Sequence, residues 1–164
     1  MATYEKRGKT WRYRISTGKN PTTGKYEYIS KSGFKRKSDA KHHAEMVERQ
    51  LRNGDYIAPS AYTFKEFANA WLKQYANDVK VSSVRAREKA IHHATERFGD
   101  YPIQSIKKHD YQLFVDDMSN QYSKNYVDSI VASTNMIFNY AYDTKLIKVL
   151  PNEGIKRPKK TFIR

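Results

Sequence analysis

The sequence contains no cysteine. That excludes a disulfide scaffold, thiolate-zinc fingers and a cysteine nucleophile, and it fits a reducing compartment. It contains no run of eighteen apolar residues, so no segment reads as a membrane span. The first residues, Met1-Ala2-Thr3-Tyr4-Glu5-Lys6-Arg7, lack the apolar stretch of a secretory signal. Acid is also scarce: 17 Asp and Glu face 31 Lys and Arg over 164 residues, a formal charge of +14. Aromatic and apolar residues are not scarce, at 13% and 38%. That is too much for a disordered polycation, so at least one packed core is expected. A basic surplus of this size points to a polyanionic partner, nucleic acid first and an acidic membrane surface second.

The surplus is unevenly placed. Residues 1–37 hold eleven Lys and Arg against Glu5 and Glu27, so nine of the fourteen excess charges fall in less than a quarter of the chain. A surface built only for solubility intersperses both signs; this segment does not, and two modules with different tasks are expected. Residues 9–17 alternate, with Trp11, Tyr13 and Ile15 on one side and Arg12 and Arg14 on the other, the period of a half-buried strand. The loop 18–24 carries Gly, Asn and Pro, and a second β-prone run follows from Tyr26 to Lys31. The facing of Tyr26, Glu27, Tyr28 and Ile29 stays open, since a one-residue slip exchanges the two sets. Phe34-Lys35-Arg36-Lys37 supplies a short third strand. Ser38 then caps a helix to about Arg52 on the stripe Ala40, Ala44, Val47, Leu51, stopped by Asn53-Gly54. One helix covers one sheet face, expected to be that of Trp11, Tyr13 and Ile15, and leaves the arginine face open.

Residues 55–62 have Gly and Pro punctuation around them and no period, and read as a linker. Thr63-Phe64-Lys65-Glu66 fits a capping box. Four amphipathic helices are predicted after it: one on Phe64, Phe67, Ala68, Trp71, Leu72 and Tyr75; one from Ser82-Ser83 to Phe98; one over roughly 108–119; and one from Ser123 to about Thr144. They make a small helical domain over 63–150, able to fold alone. The last stretch, 151–164, is linker-like and basic, and the end at Arg164 reads as a boundary within a longer protein.

Three sets of residues then carry a resemblance. They are Trp11-Arg12-Tyr13-Arg14 with Pro21-Thr22-Thr23-Gly24-Lys25 and Gly33-Phe34-Lys35-Arg36-Lys37-Ser38; Phe64-x-x-Phe67-Ala68-x-x-Trp71-Leu72; and Phe98-Gly99-Asp100-Tyr101-Pro102-Ile103 with Phe138-Asn139-Tyr140-Ala141. In this order the chain resembles the N-terminal half of a phage or conjugative-transposon integrase of the tyrosine recombinase family. The resemblance implies an α+β chain. Residues 1–54 would be an arm-binding domain, a three-stranded antiparallel sheet plus one helix. Residues 63–150 would be an all-α, four-helix, SAM-like core-binding domain. It also implies partners: double-stranded DNA at arm-type and core-type attachment sites, and self-association in a recombination complex. No cofactor and no membrane are implied, and the location would be the cytoplasm of a bacterial host. The nucleophilic Tyr and its Arg, Lys and His companions would lie in a further domain, so this chain is expected to bind and position DNA without cutting it.

The candidate DNA contacts are Arg12 and Arg14, with Lys35 and Lys37 as neighbours, because the major groove admits a sheet and Arg donates twice to guanine. In the helical domain they are Ser82, Ser83, Arg85 and Lys89 on one helix and Ser123, Lys124 and Asn125 on another. Free N–H groups at a helix start suit phosphate, and ordinary serine capping is the competing reading. The pairs His42-His43 and His92-His93 do not read as metal ligands, since adjacent helical side chains diverge by about 100°. A free-standing RNA-binding or protein-interaction module is the alternative from another class.

Overall fold

The hydrophobic period changes from two to 3.6 just after Phe34, and the backbone changes with it. The structure, a computed structural model, describes residues 1–159 and divides into two compact units, Met1–Tyr56 and the remainder from Ile57. In the first, β1 (Ala2–Arg7), β2 (Thr10–Lys19) and β3 (Tyr26–Phe34) form an antiparallel sheet in the order β1-β2-β3. The strand count matches the expectation, but the third strand is a different one. Phe34 ends β3, Lys35 and Arg36 form the connection, and the remaining strand is β1 at the N-terminus. Gly8 and Lys9 join β1 to β2, with Arg7 opposite Thr10. Gly8 adopts φ 58°, the left-handed value that a two-residue hairpin with glycine first requires. With β1 on one edge of β2 and β3 on the other, both edges of β2 are filled, and after Phe34 the chain turns at Lys35 and Arg36 into the helix.

The helix α1 (Lys37–Asn53) packs on one face of this sheet, and Tyr13, Ile15, Ala44 and Val47 form its buried contact, joined by Ala2, Tyr4, Ile29, Phe34, Leu51 and Tyr56. Trp11 is not in that core. It lies beyond the register shift between Trp11 and Tyr13 and is half-buried, with the Lys37 ammonium 5.5 Å from its ring centre. Ser38 does not cap α1 either. The N-cap position is Arg36, without a side-chain bond, and Ser38 lies inside the first turn. The expected stop holds: Gly54 takes φ 74° and its N–H closes on Leu51, as a left-handed helix cap does.

The second unit contains α2 (Phe64–Tyr75), α3 (Val81–Phe98), a 3₁₀ turn at Ile103–Ser105, α4 (Lys108–Gln121) and α5 (Lys124–Asp143). Thr63 and Glu66 close a reciprocal capping box: the Thr63 N–H donates to the Glu66 carboxylate at 2.9 Å and the Glu66 N–H to the Thr63 hydroxyl at 3.2 Å. The Thr63 N–H, followed by the Thr63 hydroxyl donating to the same oxygen at 3.0 Å, holds the Glu66 carboxyl below the usual carboxylate range. The core gathers Phe64, Trp71, Ile91, Phe98, Ile103, Phe114, Val131 and Phe138. At its centre the buried Tyr111 hydroxyl donates to Asn135 Oδ1 at 2.8 Å, and burial pushes its ionisation up.

Both ends of the 55–62 stretch are tied down. Tyr56 packs on the first unit's core, while the Gln104 amide accepts from the Ser60 N–H and donates to the Ala58 carbonyl. Of the basic stretch 151–164, residues 160–164 lie outside the described residues. The part before them follows the helical unit: Gln112 exchanges two hydrogen bonds with the Lys156 backbone, at 2.8 and 2.9 Å. Arg157 reaches Asp128 at 2.8 Å.

Candidate nucleic-acid interface

With α1 on one side, the other side of the sheet is uncovered. Side chains alternate along a strand, so the residues flanking buried Tyr13 and Ile15 point outward. The cross-strand register places Thr3 opposite Arg14, Glu5 opposite Arg12, and Ser30 opposite Arg14 on the far edge. Arg12 donates to the Ser30 hydroxyl at 3.1 Å. The Arg14 guanidinium carbon lies 3.6 Å from the ring centre of Tyr28, within cation–π range. That contact settles the facing of β3: Tyr28 is on the open face, and Ile29 packs with the core. Arg7 donates to Glu5 at 3.2 Å. Thr3, Glu5, Arg7, Arg12 and Arg14 line a shallow depression of about 170 Å³. The face thus presents three guanidinium groups against one carboxylate.

The four cationic candidates of this unit do not form one set. Arg12 and Arg14 share the open face, but Lys35 is exposed in the β3–α1 connection and Lys37 is the first residue of α1, over Trp11. Alternation in 9–17 was signal enough for the arginines. Thr3, Glu5 and Arg7 went unread because β1 has one large apolar residue, Tyr4, to mark its period.

On the covered side, His43 bridges sheet and helix. Lys31 lies 3.2 Å from its Nε2 and the Tyr13 hydroxyl 3.0 Å from its Nδ1. A lysine ammonium has no acceptor, so Nε2 accepts and the neutral ring donates through Nδ1 to Tyr13. Burial, helped by the charges of Lys31 and His42, pushes the His43 ionisation down. Among the described residues there is no group of three metal-ligating side chains, and no helix is long and apolar enough to cross a membrane.

The helical candidates also separate. Ser82 and Ser83 are exposed in the first turn of α3, behind the N-cap Lys80, and do not cap it. Arg85 and Lys89, one turn apart, are exposed beside Lys65 of α2 along a groove of about 420 Å³; Lys65 was not read from the sequence. Ser123 does cap α5, accepting from the Tyr126 N–H at 3.4 Å. Lys124 pairs with Asp128 at 3.1 Å, and Asn125 is exposed. The hydrogen bond from Lys124, followed by that from Arg157, holds the Asp128 carboxyl below its usual range. Two contacts fix how α3 meets α5: Arg87 to Ser133 at 3.0 Å and His93 to Tyr126 at 3.0 Å. The helices are therefore antiparallel, and the start of α3 lies about 22 Å along the pair from the start of α5, at ~1.5 Å per residue. The two serine-led helix starts sit at opposite ends of the pair, not in one cluster.

Two family models match this chain: the Arm DNA-binding domain over residues 2–51 and the phage integrase N-terminal SAM-like domain over residues 63–119. A Lactococcus lactis protein named prophage ps2 probable integrase is 26% identical over 145 residues, 87% of this chain and 37% of that protein. The chain thus spans just over a third of the curated relative it matches. The domain N-terminal to the integrase domain of a Staphylococcus haemolyticus protein is 81% identical, over 60% of this chain and 89% of that one, with a TM-score of 0.48. A lambda integrase tetramer bound to a Holliday junction is 14% identical, with a TM-score of 0.56, over 93% of this chain and 44% of that one. That last likeness is one of fold.

Proposed function

The chain belongs to the phage integrases of the tyrosine recombinase family, carrying their arm DNA-binding and N-terminal SAM-like domains, and from that premise we propose that it holds two separate segments of double-stranded DNA. The sheet unit reads arm-type repeats in the major groove, and the helical unit grips a core-type site with less sequence discrimination. The proposed division is 1–54 for the arm module, 55–62 for the connection, 63–150 for the core module and 151–164 for a basic segment leading to catalytic parts. The observation that carries this reading is the uncovered sheet face, where Arg12 and Arg14 are held in place by Ser30 and Tyr28. Ordered guanidinium groups lose less freedom on binding and suit the paired acceptors of guanine.

In the helical unit Arg85 and Lys89, with Ser82 and Ser83 at the start of the same helix, would meet one stretch of phosphates. Ser123, Lys124 and Asn125 would meet another. Their separation along the helix pair suits two places on one duplex rather than one phosphate. The full-length protein would assemble with further copies on DNA and act in the cytoplasm of a bacterial host. An RNA reading by stacking on exposed tyrosines is less well supported, because the Tyr28 ring already carries Arg14 on one side.

The test is competition. Labelled duplex DNA bound to the 164-residue chain should be displaced by unlabelled duplex far better than by single-stranded RNA of equal length. Its affinity should fall linearly in log–log form as salt rises. Displacement by RNA at equal or lower concentration would overturn the reading.

A further inference from the structure

Resting on the duplex-DNA reading of the sheet face, we propose that Glu5 is a specificity-determining residue whose carboxylate accepts a hydrogen bond from the N4 amino group of one cytosine in the groove. Glu5 stands opposite Arg12 in the β1–β2 register, on the face shared with Arg7 and Arg14, and it is the one acid lining the depression there. A carboxylate facing a polyanion is repelled by every phosphate, so it lowers affinity that is blind to sequence. It contributes to binding only where it meets a donor. Base edges in the major groove offer two exocyclic donors, cytosine N4 and adenine N6. Adenine's amino group lies between two acceptors, its own N7 and the paired thymine O4, which repel a carboxylate; cytosine's has guanine O6 on one side only and C5–H on the other.

The geometry fits this use. Arg7 Nε holds Oε2 at 3.2 Å, which orients the carboxylate through one oxygen and leaves the other to accept. The side chain is 61% exposed, so a base edge can reach it. A surface pair of this kind contributes little to folding, which gives Glu5 no strong structural reason to be there. With Arg12 beside it, the face pairs an acceptor for cytosine with a donor for guanine.

Selection from random duplexes, using the 164-residue chain as wild type, Glu5→Ala and Glu5→Gln, tests the assignment. The wild type should enrich a motif containing one C·G pair that Glu5→Ala no longer selects, the other positions being kept. On the selected duplex, discrimination against inverting that pair should drop from about tenfold to none. Glu5→Gln should turn the preference there toward adenine, which a glutamine amide reads through N6 and N7. An unchanged motif in Glu5→Ala overturns the proposal and leaves the DNA reading standing. So does a uniform weakening at all positions, which would make Glu5 merely a support for Arg7. If the wild type enriches no motif, sequence reading by the sheet falls, and the role of Glu5 falls with it.

Discussion

At the scale of single residues, the contact between Arg14 and Tyr28 makes a graded prediction. Arg14→Ala removes the proposed base-reading group, while Tyr28→Ala removes only its support at 3.6 Å. Duplex affinity should fall about tenfold or more for the first and by a smaller factor for the second, measured by fluorescence anisotropy at fixed salt. Equal losses would mean that Tyr28 itself touches DNA. In the helical core, Tyr111→Phe removes the hydroxyl bonded to Asn135 and leaves a half-buried amide oxygen short of a donor. The loss should be about 1–2 kcal/mol in denaturant unfolding, with DNA binding unchanged. Arg12 and Arg14 were legible in the sequence because Trp11, Tyr13 and Ile15 mark the opposite side by alternation. Glu5 was not legible, since one charged residue among others in a short N-terminal run carries no period.

At the scale of elements, what was legible followed the size of the periodic signal. The helices α2 and α5 each bury several large residues at helical spacing, Phe64 and Trp71 in one, Ile130, Ile137 and Phe138 in the other, and their positions were read closely. The edge strand β1 buries none of its residues and has Ala2 and Tyr4 half-buried. Its pairing is supplied by β2, not by its own sequence, so residues 34–37 looked like the better strand. The sheet and α1 share one core, and His43 is a titratable joint between them, facing Tyr13 and Lys31. Its ionisation is pushed below the ordinary 6.5, so the unfolded chain binds the proton more tightly than the folded one. Stability of the sheet unit should therefore be intact above about pH 6.5 and fall as pH drops below it. Thermal melts at a series of pH values, with His43→Leu as control, check this; the variant should lose that component of the pH dependence. In the helical unit Phe138→Ala should cost about 3–5 kcal/mol, read from the same melts at neutral pH.

At the scale of the whole molecule, the formal charge of +14 resolves into two different surfaces. The sheet unit shows an open face with three guanidinium groups ordered by neighbours. In the helical unit, Lys124 and Arg157 share Asp128 while Arg85 and Lys89 line an open groove. Two units on one chain gain from a duplex long enough to engage both, because the second contact is then intramolecular. The account stands most directly on one measurement: titration of labelled duplex with the wild-type chain and with the Arg12→Ala/Arg14→Ala double variant, over a salt series. It predicts tight, steeply salt-dependent binding to the selected arm-type duplex by the wild type, at least tenfold weaker binding by the double variant, and unchanged binding of both to core-type duplex. Arm-type binding by the double variant at wild-type strength would contradict it.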